Sequence, residues 1–149
     1  MPRQKTALHI LMHIGRLLQQ AIDGELRPQG LHHGQGRVLA LLQREGRMTQ
    51  ADLARRAGLR PATVTNMLKP LEGRRLIKRT VDPKSNRALV VSLTGAGRKL
   101  VVQVEKAWGT IEAQLARDLA PGDRRTVFAA LEGFRDRLGG VAPADEEEE

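Results

Sequence analysis

The hydrophobic period of this chain drops from helical to alternating in one place, and that place limits the fold more than any other feature. Between Met48 and Leu71 the apolar residues recur at helical spacing in two short runs. After Leu71 the period drops to two. Leu76-Ile77-Lys78-Arg79-Thr80-Val81 and Ala88-Leu89-Val90-Val91-Ser92-Leu93 are rich in β-branched residues and flank the polar, basic segment 82–87. The first helical run starts at Thr49, which can cap it. Asp52, three residues on, forms a weak capping box, and Met48 and Leu53 are spaced for a hydrophobic staple. Gly58 ends the run, where a left-handed residue is needed. Arg60-Pro61 opens the second run, proline being suited to a first helical position. Its inner face carries Val64, Met67, Leu68 and Leu71.

Two short helices joined at a glycine and followed by a basic hairpin predict a winged helix-turn-helix. Helical stripes flank that unit on both sides. Leu8, Leu11, Ile14, Leu18 and Ile22 mark a helix over 7–26, and a second helix over 33–45 stops before Gly46. Leu100, Val104, Trp108, Ile111 and Leu115 mark a long helix through about residue 120. Pro121-Gly122-Asp123 breaks it, and Val127, Phe128, Leu131, Phe134 and Leu138 mark the last. The expected fold class is mainly α with a small β-hairpin wing, the winged core flanked by N- and C-terminal dimerisation helices. The expected divisions are 1–31 for dimerisation, 32–99 for the winged lobe, 100–140 for dimerisation again and 141–149 as a disordered acidic tail. The outer stripes exceed what a monomer can cover, so a symmetric homodimer is expected.

Charge narrows the partner. The chain has 25 Lys and Arg against 17 Asp and Glu, a formal +8, although five of those acids close the chain at 145–149. Between Arg37 and Lys99 there are 15 basic residues and four acids. A basic region of that density fits nucleic acid. The aromatics are only Trp108, Phe128 and Phe134, too few for stacking on unpaired bases, so duplex DNA is favoured. The chain has no cysteine, which removes disulfides, thiolate metal sites and thiol nucleophiles. No apolar run approaches a membrane span, and the N-terminal segment lacks a signal-peptide pattern. The expected compartment is the cytoplasm, with the nucleoid when DNA is bound.

The run from Ala51 to Leu100 resembles the multiple-antibiotic-resistance regulator (MarR) family. The matching pieces are Leu53-Ala54, Gly58, Thr63-Val64-Thr65, Leu71-Glu72, Leu76-Ile77-Lys78-Arg79, Asp82-Pro83, Arg87, Leu93-Thr94 and Gly97. With the flanking helices the resemblance spans about residues 5–140. It implies a homodimeric bacterial transcription regulator, often a repressor released by a small aromatic or phenolic ligand. The chain departs from the family at three places. Arg75 stands where a glycine is usual, so a differently shaped helix end is expected there. Ser85 replaces the acid that fixes the wing arginine, so a mobile tip of about six residues is expected. Pro70 falls late in the second short helix and should bend it or end it early.

On that helix Ala62, Thr65, Asn66 and Lys69 should face outward beside Arg60 and Pro61. Asn66 suits a bidentate contact to adenine, and Ala62 or the Thr65 methyl a thymine methyl. Lys69 and Arg60 suit phosphates. Thr63 either binds phosphate or caps the helix. Lys84 and Arg87 at the wing tip suit a narrow minor groove or the backbone beside it. The expected target is a pseudo-palindromic operator, read by two helices about one duplex turn apart.

His13, Arg16 and His33 are the candidate polar groups for an anionic effector at a dimer-interface pocket. His9 and His13 lie one turn apart but supply two metal ligands at most, so no metal is expected. Nor is a cofactor or catalysis. The chain has no phosphate-binding glycine loop, no nucleophile elbow and no carboxylate pair beside a histidine. Two other classes stay open: an architectural or adaptor winged-helix protein without an effector and, more remotely, a histidine-dependent enzyme.

Overall fold

The computed structural model describes residues 6–140. The acidic segment 141–149 lies outside them, and with it the expectation of a disordered tail. The chain divides into two units, one ending at Ile111 and one beginning at Glu112.

In the first unit, helix α1 spans Ala7–Leu26 and is capped by Thr6. Leu26 is fully buried, and a 3-10 turn, Arg27–Gln29, closes on Gly30 with a left-handed φ of 67°. Helix α2 spans His33–Glu45. Strand β1 (Met48–Thr49), helix α3 (Gln50–Ala57) and helix α4 (Pro61–Gly73) follow. Strands β2 (Ile77–Asp82) and β3 (Ser85–Leu93) form the hairpin, and helix α5 (Gly95–Ala116) leaves it.

The sheet has three strands in the order β1-β3-β2, all antiparallel. Two residues are too few to show a period, so Met48 and Thr49 read as a staple and a cap. Thr49 does cap α3, accepting from Asp52 N at 3.1 Å, while its backbone also pairs with Val90. This pairing ties the start of the helix-turn-helix to the wing.

The buried interior takes in the predicted inner face of α4 and adds Leu26 and Val101, which lie outside the predicted stripes, while Leu8, Ile14 and Leu115 of those stripes are exposed. Leu26, Leu39, Leu53, Val64, Leu68, Leu71, Ile77, Val91, Val101 and Val104 form a continuous core, with Met67, Leu100 and Trp108 packed against it. Gly97 sits where α5 crosses the wing base: a Cβ there would lie 2.0 Å from the Leu76 carbonyl oxygen. Thr94 closes the same junction. Its hydroxyl lies 2.6 Å from the Arg75 carbonyl oxygen and 3.1 Å from that of Leu76, and it accepts from Gly97 N.

Three local expectations need correction. Helix α4 does not end at Pro70 but continues to Gly73. The intrahelical bond that proline removes would have gone to the carbonyl of Asn66, an exposed residue open to water. Burial of Leu68 and Leu71 on the opposite face holds the last turn.

Arg75 does not reshape the helix end. It adopts the left-handed φ of 58° that a glycine would supply. Arg75 N bonds to Glu72 O at 2.9 Å and Leu76 N to Leu71 O at 3.0 Å, a Schellman closure. The cost is about 1 kcal/mol, and burial of Leu76 and Ile77 immediately after it offsets that cost. The hairpin tip is also shorter than six residues. Asp82 pairs with Ser85 across Pro83-Lys84, and the Asp82 side chain accepts from Lys84 N at 3.0 Å, an Asx-turn. Val81 pairs with Leu89 but Asp82 with Ser85, so the ladder register shifts between Val81 and Asp82.

In the second unit, helix α6 spans Pro121–Arg137. Glu112 and Arg124 form an ion pair at 3.1 Å, and Arg137 lies over the Phe134 ring. Val127, Phe128, Leu131 and Leu138 are exposed. Among the described residues no helix is long and apolar enough to cross a membrane.

Candidate nucleic-acid interface

Helix α4 has two chemically distinct faces. Val64, Leu68 and Leu71 are fully buried, while Ala62, Thr63, Asn66 and Lys69 are exposed. Arg60 is the N-cap residue; its guanidinium carries only donors and cannot cap the helix, and it is exposed. Pro61 is then the first helical residue and Thr63 the third. Thr63 therefore does not cap the helix, and it sits among the unpaired N–H groups of the first turn. Lys84 and Arg87 are exposed on the hairpin.

Pairing sorts the basic residues further. Arg44 and Arg56 both meet Glu45, Arg55 meets Asp52 at 2.7 Å, and Arg79 meets Glu72 at 2.6 Å. Among the described residues Arg60, Lys69, Lys84 and Arg87 have no such carboxylate. They can meet an external anion, as can other cations of the same unit that make no such pair, Arg47 and Lys78 among them.

Thr65 has internal partners. It is half-buried, its hydroxyl accepts from Gln50 Nε2 at 2.7 Å, and it lies 3.0 Å from the Pro61 carbonyl oxygen. Gln50 in turn faces Arg79, whose Nη1 lies 3.5 Å from Gln50 Oε1 while Nε and Nη2 grip Glu72. The hydrogen bonds from Arg79, with its positive charge, hold the Glu72 carboxyl below the usual carboxylate range. Sequence reasoning missed Gln50 and Arg79. No periodicity or motif separates an arginine on a strand that reaches a glutamate seven residues back from one that faces solvent.

Arg74, just past α4, donates to the carbonyls of Gln29 at 2.8 Å and Gly30 at 3.1 Å. This anchors the end of α4 to the turn that follows α1. The effector candidates do not converge within one chain. His33 is committed to Asp23, its Nδ1 2.8 Å and its backbone N 2.6 Å from Asp23 Oδ1. His13 and Arg16 are exposed on α1, His13 ten residues before Asp23 and so about 15 Å away along the axis. His9 Nδ1 lies 2.6 Å from the Thr6 hydroxyl.

A buried-face helix presented beside a basic hairpin, on a three-stranded sheet, defines a winged helix-turn-helix. Residues 31–89 match the MarR family model. The chain is 30% identical over 117 residues to the HTH-type transcriptional repressor Rv2887 of Mycobacterium tuberculosis, covering 78% of this chain and 84% of that one. Among solved structures it is similar to Staphylococcus aureus MepR in complex with DNA, with a TM-score of 0.82, 28% identity, and 91% and 99% of the two chains covered. Apo MarR from Escherichia coli shares the fold, with a TM-score of 0.76 at 20% identity over 89% of this chain and 98% of that one. The chain belongs to the MarR family of transcriptional regulators.

Proposed function

We propose that the protein is a homodimeric, sequence-specific regulator that binds duplex DNA through α4 and the wing, and represses until a small aromatic or anionic ligand releases it. The observation that carries this reading is the composition of α4. Its inner face is fully buried and cannot move freely, while its outer face offers Ala62, Thr63, Asn66 and Lys69 beside the unpaired Arg60. Lys84 and Arg87 extend the positive surface along the hairpin. Lys and Arg would neutralise phosphates, and Asn66 would read a base edge. The DNA-bound MepR neighbour supports this use of the fold.

Exposed Leu8, Met12 and Ile14 on α1, and separately Phe128, Leu131 and Leu138 on α6, support dimerisation through 1–31 and 100–140. The DNA-binding lobe is then 32–99. His13, Arg16 and His33 come together only if the partner subunit completes their pocket. The reading places the protein in the cytoplasm and assigns it no turnover.

The test is selection of binding sites from a randomised duplex library with the purified protein. A pseudo-palindrome with half-sites about one duplex turn apart, preferred over random duplex by at least ~10³-fold, is expected. Equal affinity for selected and random duplexes would overturn the reading. Asn66→Ala should flatten the preference at one base position per half-site.

A further inference from the structure

We propose that Gln50, the half-buried first residue of α3, determines what Thr65 reads: by occupying the Thr65 hydroxyl it leaves the methyl to meet a thymine methyl. The inference rests on the DNA-binding role of α4 and deepens it.

The relay has a fixed direction. Arg79 carries only donors, so the Gln50 amide atom facing its Nη1 must be the oxygen, Oε1. That fixes the amide, and Nε2 points to Thr65 Oγ1 at 2.7 Å. Accepting there, the hydroxyl must send its single hydrogen elsewhere, and the Pro61 carbonyl oxygen receives it at 3.0 Å. Thr65 has no donor left for a base. Glu72 holds the far end of the relay by gripping Arg79 through Nε and Nη2 at 2.6 and 3.2 Å.

The consequence is conformational as well as chemical. A helical threonine divides between two χ1 wells because its hydroxyl can bond back to the preceding turn in either. The bond from Gln50 selects one of them and fixes the methyl with it. In the major groove the apolar partner for such a methyl is the C5-methyl of thymine. Gln50 is therefore a positioning residue, acting through Thr65.

The experiment uses the full-length protein and the duplex obtained by site selection, with each thymine replaced in turn by deoxyuridine, which lacks only the methyl. At one position per half-site the replacement should weaken wild-type binding about fourfold, the worth of one buried methyl. Thr65→Val should keep that thymine–uracil difference, and Thr65→Ser should lose it. Gln50→Ala should reduce it toward one, and Gln50→Ala combined with Thr65→Val should restore it, because a helical valine holds one rotamer unaided. The rescue separates positioning from a merely structural loss, and deoxyuridine scanning of the wild type needs no variant to fold. A wild type that selects a sequence but is indifferent to every deoxyuridine overturns this inference alone. So does loss of the preference in Thr65→Val, which would make the hydroxyl the reader. A wild type that selects no sequence instead fails the proposed function.

Discussion

His32 caps α2 with an imidazole, which makes stability depend on a proton. Its Nδ1 accepts from the backbone N–H groups of Gly34 and Gln35 at 3.1 and 3.3 Å, and Gln35 Oε1 accepts from His32 N at 3.2 Å. Only a ring with Nδ1 bare can do this. A proton on Nδ1 would turn the acceptor into a donor and set a cation at the positive end of the helix dipole. Burial pushes the His32 pKa below its ordinary value of 6.5, His33 acts in the same direction, and Asp23 opposes them. A histidine lowered on folding binds fewer protons folded than unfolded. Its contribution is therefore complete above about pH 6.5 and is lost as pH falls toward the lowered value. Asp23 stays ionised across that window: burial raises its carboxyl, but the backbone and ring hydrogen bonds from His33 hold it below 3.8. Loss of an N-cap costs about 1 kcal/mol, and the dipole adds roughly 0.5 kcal/mol. Stability should thus fall by up to about 1.5 kcal/mol through this site as pH drops from 7.5 through the lowered His32 value. Urea unfolding at fixed protomer concentration measures it, with His32→Asn as the control that caps without titrating. Equal losses in wild type and His32→Asn over that range would refute the capping argument.

Gly97→Ala should destabilise the fold by about 2–3 kcal/mol, because the new Cβ must displace the Leu76 backbone; thermal unfolding with less than ~0.5 kcal/mol of change would show that α5 can slide freely. Arg74→Ala should raise amide hydrogen exchange at Gly30 and Leu31, the turn it holds, while leaving α3 unchanged. Lys69→Ala and Arg87→Ala should each lower the slope of log affinity against log salt by about 0.9 per subunit if each meets one phosphate, as titration from low to high salt will show. Backbone relaxation at residues 83–88 should show a mobile wing tip that DNA orders, and rigidity equal to the strands in the free protein would count against that.

Much of the fold is legible in the sequence because its elements are held by periodic burial, and periodicity survives without coordinates. The stripes expected over 7–26 and 33–45 are the helices Ala7–Leu26 and His33–Glu45, and α4 opens at Pro61 as expected. What escapes is local structure decided by distant partners. Pro70 and Arg75 each carry a penalty that a local argument weighs correctly, yet α4 runs through Pro70 to Gly73 and Arg75 takes the left-handed φ of 58°. The cost at each is about 1–3 kcal/mol, while Leu68, Leu71, Leu76 and Ile77 are anchored in the core around them. Strand β1 escapes for the opposite reason: two residues have no period, and they pair only because β3 arrives beside them.

The interface divides along the same line. Its exposed face follows from the helical period, since fixing Val64, Leu68 and Leu71 inward leaves Ala62, Asn66 and Lys69 outward. Its polar chemistry does not follow, because a side chain's role depends on what already occupies its donors and acceptors. Arg79 and Arg87 are the same residue type on the same hairpin, eight positions apart. Glu72 neutralises one of them, and the other has no carboxylate among the described residues. Thr65 lies on the helix that faces outward, yet Gln50 and the Pro61 carbonyl have claimed its hydroxyl. A sequence supplies the inventory of polar groups, but their availability is a property of the folded network. Reading such a surface therefore requires subtracting the internal hydrogen bonds before assigning any contact to DNA.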